Sequence, residues 1–256
     1  MSTSTDVRQE RPGVLHVRIN RPEARNAIND VVAGELARTF ESAENSREVR
    51  VLVLSGAGEG FSAGLDLKAF ADHGETGEVP GRGFAGIAKR PPSKPLIAAI
   101  EGFALAGGFE LALACDMIVA SRDARVGLPE VKRGLVADGG SLLRLPERMP
   151  LPIVMELALL GHTVPVETLH RWGVVNRVTE PGGAVTEALE LASAIAANAP
   201  LATAATKQVL AHSSRALHAA GWEEQARITQ PVWASEDARE GARAFKEKRD
   251  PVFRGS

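Results

Sequence analysis

Pro95-Leu-Ile-Ala-Ala-Ile100, followed by Gly102-Phe-Ala-Leu-Ala-Gly-Gly-Phe-Glu-Leu-Ala-Leu-Ala-Cys-Asp116, is the stretch from which the rest of the chain is read. The first run is short and apolar and lies between Pro and Gly, the pattern of a buried strand. After Gly107 and Gly108, the residues Phe109, Leu111, Ala112, Leu113 and Ala114 are apolar and mostly strong helix formers, which predicts a buried helix. The two glycines therefore stand where a strand turns into a helix. Lacking Cβ atoms, they let the backbone approach a ligand closely. N–H groups at a helix start have no intrahelical partner, and the helix dipole adds positive potential there, so the turn suits an anion or a developing oxyanion. Glu110 falls in the first turn of this helix. It is either an acid that complements the dipole or a general acid/base, and the stretch alone leaves both open.

The remainder of the chain supplies the alternation expected of an α/β fold. Val14-Leu-His-Val-Arg-Ile19 alternates as a half-buried strand and ends at Asn20-Arg-Pro22. Ile28, Val32, Leu36 and Phe40 recur every fourth residue and predict a helix over 27–43 with one core face. Arg50–Ser55 and Asp116–Ala120 read as further strands. Residues 71–94, rich in Gly, Pro and charge, read as a mobile loop or lid with Phe84 and Ile87 as pocket residues. From Gly139 the pattern turns mostly helical. Leu151–Leu160 is apolar almost all round and predicts a buried helix, and Val166–Trp172 a short helix leading into Val174-Val-Asn-Arg-Val178. Ala-rich helices are expected over 184–198 and 202–219, and a last helix over 237–248 before Pro251.

Composition narrows the classes. In 256 residues, 44% are hydrophobic and 24% charged, and the net charge is −2, which offers no electrostatic case for nucleic acid or a membrane surface. The single cysteine, Cys115, cannot form an intrachain disulfide and sits in the apolar run as a buried, inert thiol. A polar N-terminus without a signal-peptide pattern, and no apolar run of membrane-spanning length, predict a cytoplasmic protein. The histidines (16, 73, 162, 170, 212 and 218) show no ligand spacing, so no metal site is expected.

A second glycine loop, Gly56-x-Gly58-x-Gly60, follows a strand, but Phe61 stands where the dinucleotide fingerprint needs glycine, and there is no Gly-Lys-Ser/Thr triplet. What remains is Ser62-Ala-Gly-Leu-Asp66, a tight turn whose N–H groups can point at a carbonyl oxygen and whose Asp66 can hold the turn through bonds to the backbone. Gly127-Leu-Pro-Glu130 then places a second carboxylate twenty residues after Glu110.

These pieces, in this order, resemble the crotonase (enoyl-CoA hydratase/isomerase) superfamily. The likeness runs from Ile19-Asn-Arg-Pro-Glu-Ala-Arg-Asn-Ala27 through the 61–66 turn, Gly102–Asp116, Leu128-Pro-Glu130 and Arg171-Trp-Gly-Val-Val-Asn176 to Lys248-Arg-Asp-Pro-Val-Phe253. The run 127–140, with Leu143-Arg-Leu-Pro146, is similar to the carnitinyl-CoA dehydratase-like branch. The resemblance implies a spiral of repeated β-β-α turns, with residues 1–198 as the core and 199–256 as a C-terminal helical region at subunit contacts of a homotrimer or a dimer of trimers. It implies oxyanion donors at Leu65 and Gly107 and catalytic carboxylates at Glu110 and Glu130. It further implies CoA contacts at Arg25, Ala27, Ala63, Asp66, Leu67, Lys68, Lys248 and Phe253, and an acyl pocket at Phe70, Phe84 and Asp138. No cofactor is implied beyond the coenzyme A carried on an acyl-CoA substrate.

The implied chemistry is addition of water across the C2=C3 bond of an enoyl thioester. Two preorganised N–H donors would stabilise the enolate, each worth about 3–4 kcal/mol. Glu110 would deprotonate the attacking water and Glu130 would protonate C2, help worth about 10²–10⁴ in rate. Two alternatives are an enoyl-CoA isomerase, which often lacks the first carboxylate, and a non-catalytic acyl-CoA-binding relative. Ala137 and Asp138 depart from the pattern of ordinary short-chain hydratases. Asp138 either favours a polar or cationic acyl tail or caps its loop. Leu65 is bulkier than the usual alanine but keeps its N–H.

Overall fold

The computed structural model describes residues 4–256, and at 213–217 the backbone alone. The chain opens with an antiparallel hairpin of β1 (Thr5–Arg11) and β2 (Val14–Ile19), turned at the positive-φ Gly13. Helix α1 (Asp30–Asn45) leads to β3 (Val51–Gly56). It starts three residues later than the periodicity predicts because Asn29 caps it, its side chain accepting from the Val32 N–H at 3.1 Å. Val32, Leu36 and Phe40 are buried as their spacing requires, while Ile28 is buried ahead of the helix in a bridge to Leu65.

A short helix, α2 (Leu67–His73), and a small hairpin, β4 (Glu78–Val79) with β5 (Gly83–Phe84), come next. They correct the reading of 71–94 as a mobile loop or lid: Phe84, Ala85, Ile87 and Ala88 lie inside the main core. Gly86, at φ 73°, presses the segment onto α1 so closely that a Cβ would stand 2.7 Å from the Ala37 methyl. The composition that suggested mobility is what permits that approach.

Two β-β-α-like turns then follow. Strand β6 (Leu96–Ile100) is followed by β7 (Phe103–Leu105) and α3 (Gly107–Ala114), and β8 (Met117–Ser121) by β9 (Arg125–Gly127) and a 3₁₀ turn at Pro129–Arg133. The rest comprises α4 (Ser141–Arg144), α5 (Leu151–Leu160), β10 (Thr163–Pro165), α6 (Val166–Arg171) and β11 (Arg177–Thr179). It closes with α7 (Ala184–Ala196), α8 (Pro200–Ala234) and α9 (Glu236–Glu247). A six-stranded sheet has the order β1-β2-β3-β6-β8-β11, parallel from β2 onward, and a three-stranded sheet has the order β10-β9-β7. Each repeat thus gives its first strand to one sheet and its second to the other.

The inner strands of the large sheet are buried on both faces. Val51, Val53, Ile97, Ala99 and Val119 meet Ala184, Ala188, Ala192 and Ala196, a row of small side chains four apart that brings α7 close. The alternate residues Leu52, Leu54, Leu96, Ala98 and Ile100 face the main core with Phe40, Phe61 and Phe109.

Two further expectations need correction. Helix α5 is not buried all round: Val154 and Leu157 are, but Leu151, Met155, Leu159 and Leu160 are each more than half exposed on this single chain. The run Val174–Val178 becomes strand only at Arg177, because Asn176 spends its groups on Ile118, donating its N–H and accepting through Oδ1. The helix expected over 202–219 runs from Pro200 to Ala234, passing through Pro231. Among the described residues no single helix is long and apolar enough to cross a membrane.

His16, on β2, is buried with Nε2 2.7 Å from the Ser55 hydroxyl and Nδ1 3.6 Å from Glu10. Burial pulls its proton affinity down; Glu10 opposes this, and Arg18 and Arg8 add to it. A histidine with a depressed folded pKa contributes stability that is complete above the ordinary histidine range and is lost as pH falls through the lower folded value. In urea melts between about pH 7 and about pH 5, the wild-type chain should therefore lose more stability than His16→Gln. Equal losses would remove His16 from the acid response.

Candidate active site

The first turn is set by side chains that replace a missing ladder. Beyond β3, Asn26 (φ 54°, buried) donates from Nδ2 to the carbonyls of Ala57 and Gly60, both at 2.8 Å, and accepts from the Arg21 N–H at 3.0 Å. The Ser62 hydroxyl donates to the Asn26 carbonyl at 2.8 Å and accepts from the Gly64 N–H at 3.1 Å. The Ile28 N–H donates to Gly64 O and the Asp66 N–H to Ile28 O, which straddles Leu65. Asp66 caps α2 through the Ala69 N–H at 3.2 Å and pairs with Arg21 at 3.1 Å, the holding role its place in the turn suggests. Ala63 is fixed by its N–H on the Arg25 carbonyl at 3.0 Å.

The second turn packs directly on the first. Leu105 donates to Ser62 O at 3.0 Å and Ala106 to Gly127 O at 2.9 Å. Ala106 has φ 52° and ψ −132°, a conformation that L residues rarely adopt and that costs about 1–3 kcal/mol. It swings the start of α3 so that Gly107 follows with its N–H outside the helix ladder. Approach is close throughout. A Cβ on Gly64 would lie 2.7 Å from the Gly107 nitrogen, one on Gly108 2.2 Å from Ser62 O, and one on Gly107 2.6 Å from the Phe84 ring. Among the described residues neither the Leu65 nor the Gly107 N–H donates to a protein acceptor. Unspent amides on two touching turns, one of them at a helix N-terminus, are the kind of donor that suits a carbonyl oxygen acquiring negative charge.

All eight residues of α3 are buried, Glu110 among them. Burial pushes Glu110 up to about 7, opposed first by the hydroxyl and N–H of Ser141, which donate to Oε1 at 2.7 and 3.1 Å. Glu130, in the 3₁₀ turn, is buried with no hydrogen-bond partner on either carboxylate oxygen. Its pKa is raised well above the usual range, first by burial and then by the charge of Glu110. Two buried carboxyls that bear on each other disfavour being charged at the same time. Asp138 is nearby and also raised by burial, while Trp233 and Thr229 lower it as donors. Arg144 lies beneath, buried, its guanidinium donating to the carbonyls of Gly139 (3.4 Å) and Ala88. Cys115 is buried at the end of α3, and burial pushes its thiol far up, as an inert side chain requires.

The other expected residues fall into groups. Arg25 stacks over the Phe103 ring at 4.4 Å and, with Pro22, Ala57 and Gly58–Gly60, lines a cavity of about 370 Å³. Ala27 is buried and its carbonyl accepts from Arg21. Leu67 opens α2, Lys68 is exposed on it, and Phe70 meets Trp233 edge-on at 5.5 Å. Phe84 lies against Gly107. Lys248, at φ 56°, ends α9 with its side chain exposed, and Phe253 packs toward Gly134 from the C-terminal tail. Sequence reasoning missed Asn26, Ser62, Ser141, Gln225, Thr229 and Trp233. Only Ser141, beside the glycines 139–140, carried a local signal.

Comparison with known proteins places the chain in a family. The family model described as enoyl-CoA hydratase/isomerase matches residues 9–256. A carnitinyl-CoA dehydratase of Citrobacter koseri is 42% identical over 94% of this chain and 95% of its own. A mevalonyl-coenzyme A hydratase of Aspergillus fumigatus is 39% identical over 96% of this chain and 93% of its own. The crystal structure of an enoyl-CoA hydratase from Mycobacterium tuberculosis superposes with a TM-score of 0.80, at 50% identity, over the full length of both chains.

Ser141 gives Glu110 its only side-chain donor among the described residues. Ser141→Ala should raise the Glu110 pKa by about one unit, since a hydrogen bond to a charged group is worth about 1.5–3 kcal/mol. Titration of carboxyl-¹³C glutamate signals would read this, and a fall would contradict it.

Proposed function

The chain belongs to the enoyl-CoA hydratase/isomerase family, and on that premise we propose that it adds water across, or removes it from, the C2=C3 bond of a 2-enoyl-CoA thioester. One observation carries the reading: Glu130 is buried beside Glu110 with both oxygens unpartnered. A carboxyl group left so is costly to the fold and is explained by a reacting partner. The isomerase alternative is not favoured, because both carboxylates are present, and the named relatives are hydratases and a dehydratase.

The thioester oxygen accepts from the Leu65 and Gly107 N–H groups. Glu110, ionised in a useful fraction near neutrality, takes a proton from water, whose oxygen bonds to C3. The π electrons move to give an enolate whose charge rests on that oxygen, and Glu130, which burial keeps protonated, delivers a proton to C2 as the carbonyl reforms. The elements of water end on C3 and C2, and no oxidation state changes. The reading therefore assigns no cofactor beyond the CoA carried by the substrate. Arg25, Ala27, Ala63, Asp66, Leu67 and Lys68 are assigned to the CoA side, with Lys248 and Phe253 from the C-terminal tail, and Phe70 and Phe84 to the acyl side.

Carnitinyl- and mevalonyl-specific names at similar identity leave the acyl group to a screen of enoyl-CoA esters of differing length and polarity. For assembly, we assign a homotrimer or a dimer of trimers with 199–256 at the contacts. The exposed apolar row on α5 supports association, and sedimentation measures it.

Turnover is read as loss of the conjugated enoyl-thioester absorbance. Glu130→Gln should fold and bind a CoA ester yet lose about 10²–10⁴ in kcat; a rate near wild type would overturn the acid role. For the wild type, kcat/KM should climb as pH rises through about 7, where Glu110 loses its proton, and fall again only where Glu130 does. An acid limb in the ordinary carboxylate range would remove Glu110 as the base.

A further inference from the structure

We infer that Asp138 is a positioning residue: helix α8 grips it with three side chains, and through it holds the segment that aims Glu110. The inference deepens the hydration reading and rests on it for its kinetic test alone. Gln225, Thr229 and Trp233 are four apart and so share one face of α8. Gln225 Nε2 donates to the Asp138 carbonyl at 2.7 Å, while Thr229 Oγ1 and Trp233 Nε1 donate to its Oδ2 at 3.2 and 2.7 Å. The next residues touch the catalytic carboxylate. A Cβ on Gly139 would stand 2.6 Å from Glu110 Oε2, and Ser141 gives Oε1 both of its donors. Backbone and side chain of Asp138 are thus fixed within three residues of the donors on which Glu110 depends.

The competing role, a receptor for a cationic acyl tail, fits less well. The bonds to Asp138 come from neutral donors of the same chain, and two of them converge on one carboxylate oxygen, which is how a loop is oriented. Trp233 is itself braced edge-on by Phe70. Charged groups that bear on Glu110 are Glu130 from the 3₁₀ turn, Asp138 itself and Arg144 from α4; Glu78 and Lys89 bear on Asp138 from the β4–β5 side.

The test uses Trp233→Phe, which keeps the packing on Phe70, Thr229→Val, which keeps the shape, and their combination, in the full chain with melting checked. We expect kcat to fall about 10–100-fold for a misaimed base, with KM for an enoyl-CoA ester within about threefold. Thr229→Ser should stay near wild type. In a Ser141→Ala background the combined change should add less than about twofold, because both act on one path; a full extra loss would overturn the inference. The ¹³C titration separates aim from charge. Loosened Ser141 donors raise the Glu110 pKa, whereas loss of the Asp138 charge lowers it, so a downward shift overturns the inference. A parallel change in selectivity between cationic and neutral esters, with kcat on the neutral ester kept, would also overturn it. If no enoyl-CoA ester is hydrated but the titration moves up, the hydration reading fails and the positioning stands. If the wild type hydrates an ester and the variants match it in both rate and titration, hydration stands and the positioning fails.

Discussion

Two carboxyl groups share one dehydrated space between α3 and the following 3₁₀ turn, and only one of them is given partners. Burial alone disfavours both charges, and their mutual repulsion disfavours the second charge more than the first. The two carboxyls then differ in the partners they are given. Ser141 offers two donors to Glu110 and favours its ionised form, while Glu130, offered none, has nothing to favour its charge. On the proposed reading, a base and an acid of the same residue type are thereby set apart by environment rather than by sequence.

The arrangement demands close backbone approach. Gly64, Gly108 and Gly139 each occupy a place where a methyl group would strike, respectively, the Gly107 nitrogen, the Ser62 carbonyl or the Glu110 carboxylate. The strained Ala106 belongs to the same compromise. Its backbone energy is offset by the packing of Phe109, Leu111, Ala112 and Leu113 of α3 in the main core. On the proposed reading, stability and oxyanion binding therefore depend on the same contacts between the 61–66 and 102–108 turns.

Much of this was legible in the residues. Strands β2, β3, β6 and β8 announced themselves by alternation or short apolar runs, α1 and α9 by their period, and the glycines and glutamates by the company they keep. Strands β7 and β9 did not, being three residues each and defined by partners far along the chain. Helix α5 misled because an all-apolar helix has no polar face to say which side the chain leaves open. The 71–94 segment misled because glycines that permit tight packing look like glycines that permit motion. In the site, Asn26 and Ser62 act through single bonds across 31 to 36 residues, which no periodicity reports.

Helix α8 shows most plainly why such bonds escape a linear reading. Gly221 and Pro231 look like breakers, yet Gly221 sits under Leu143, where a Cβ would come within 3.0 Å of the side chain, and the helix passes both. Its polar residues look like a solvated face. One stripe of that face is the wall of the catalytic segment, and its N-terminal half is tied to the core by Lys207, which reaches Asp116 Oδ2 at 2.6 Å and the Lys94 carbonyl at 2.9 Å. Helix α9 continues the enclosure, with Lys246 paired to Asp72 on α2. A polar helix surface thus acquires its meaning from a loop some ninety residues earlier. The acids stand out in the sequence, but on the inference drawn above what aims one of them is carried by α8, where no local pattern discloses it.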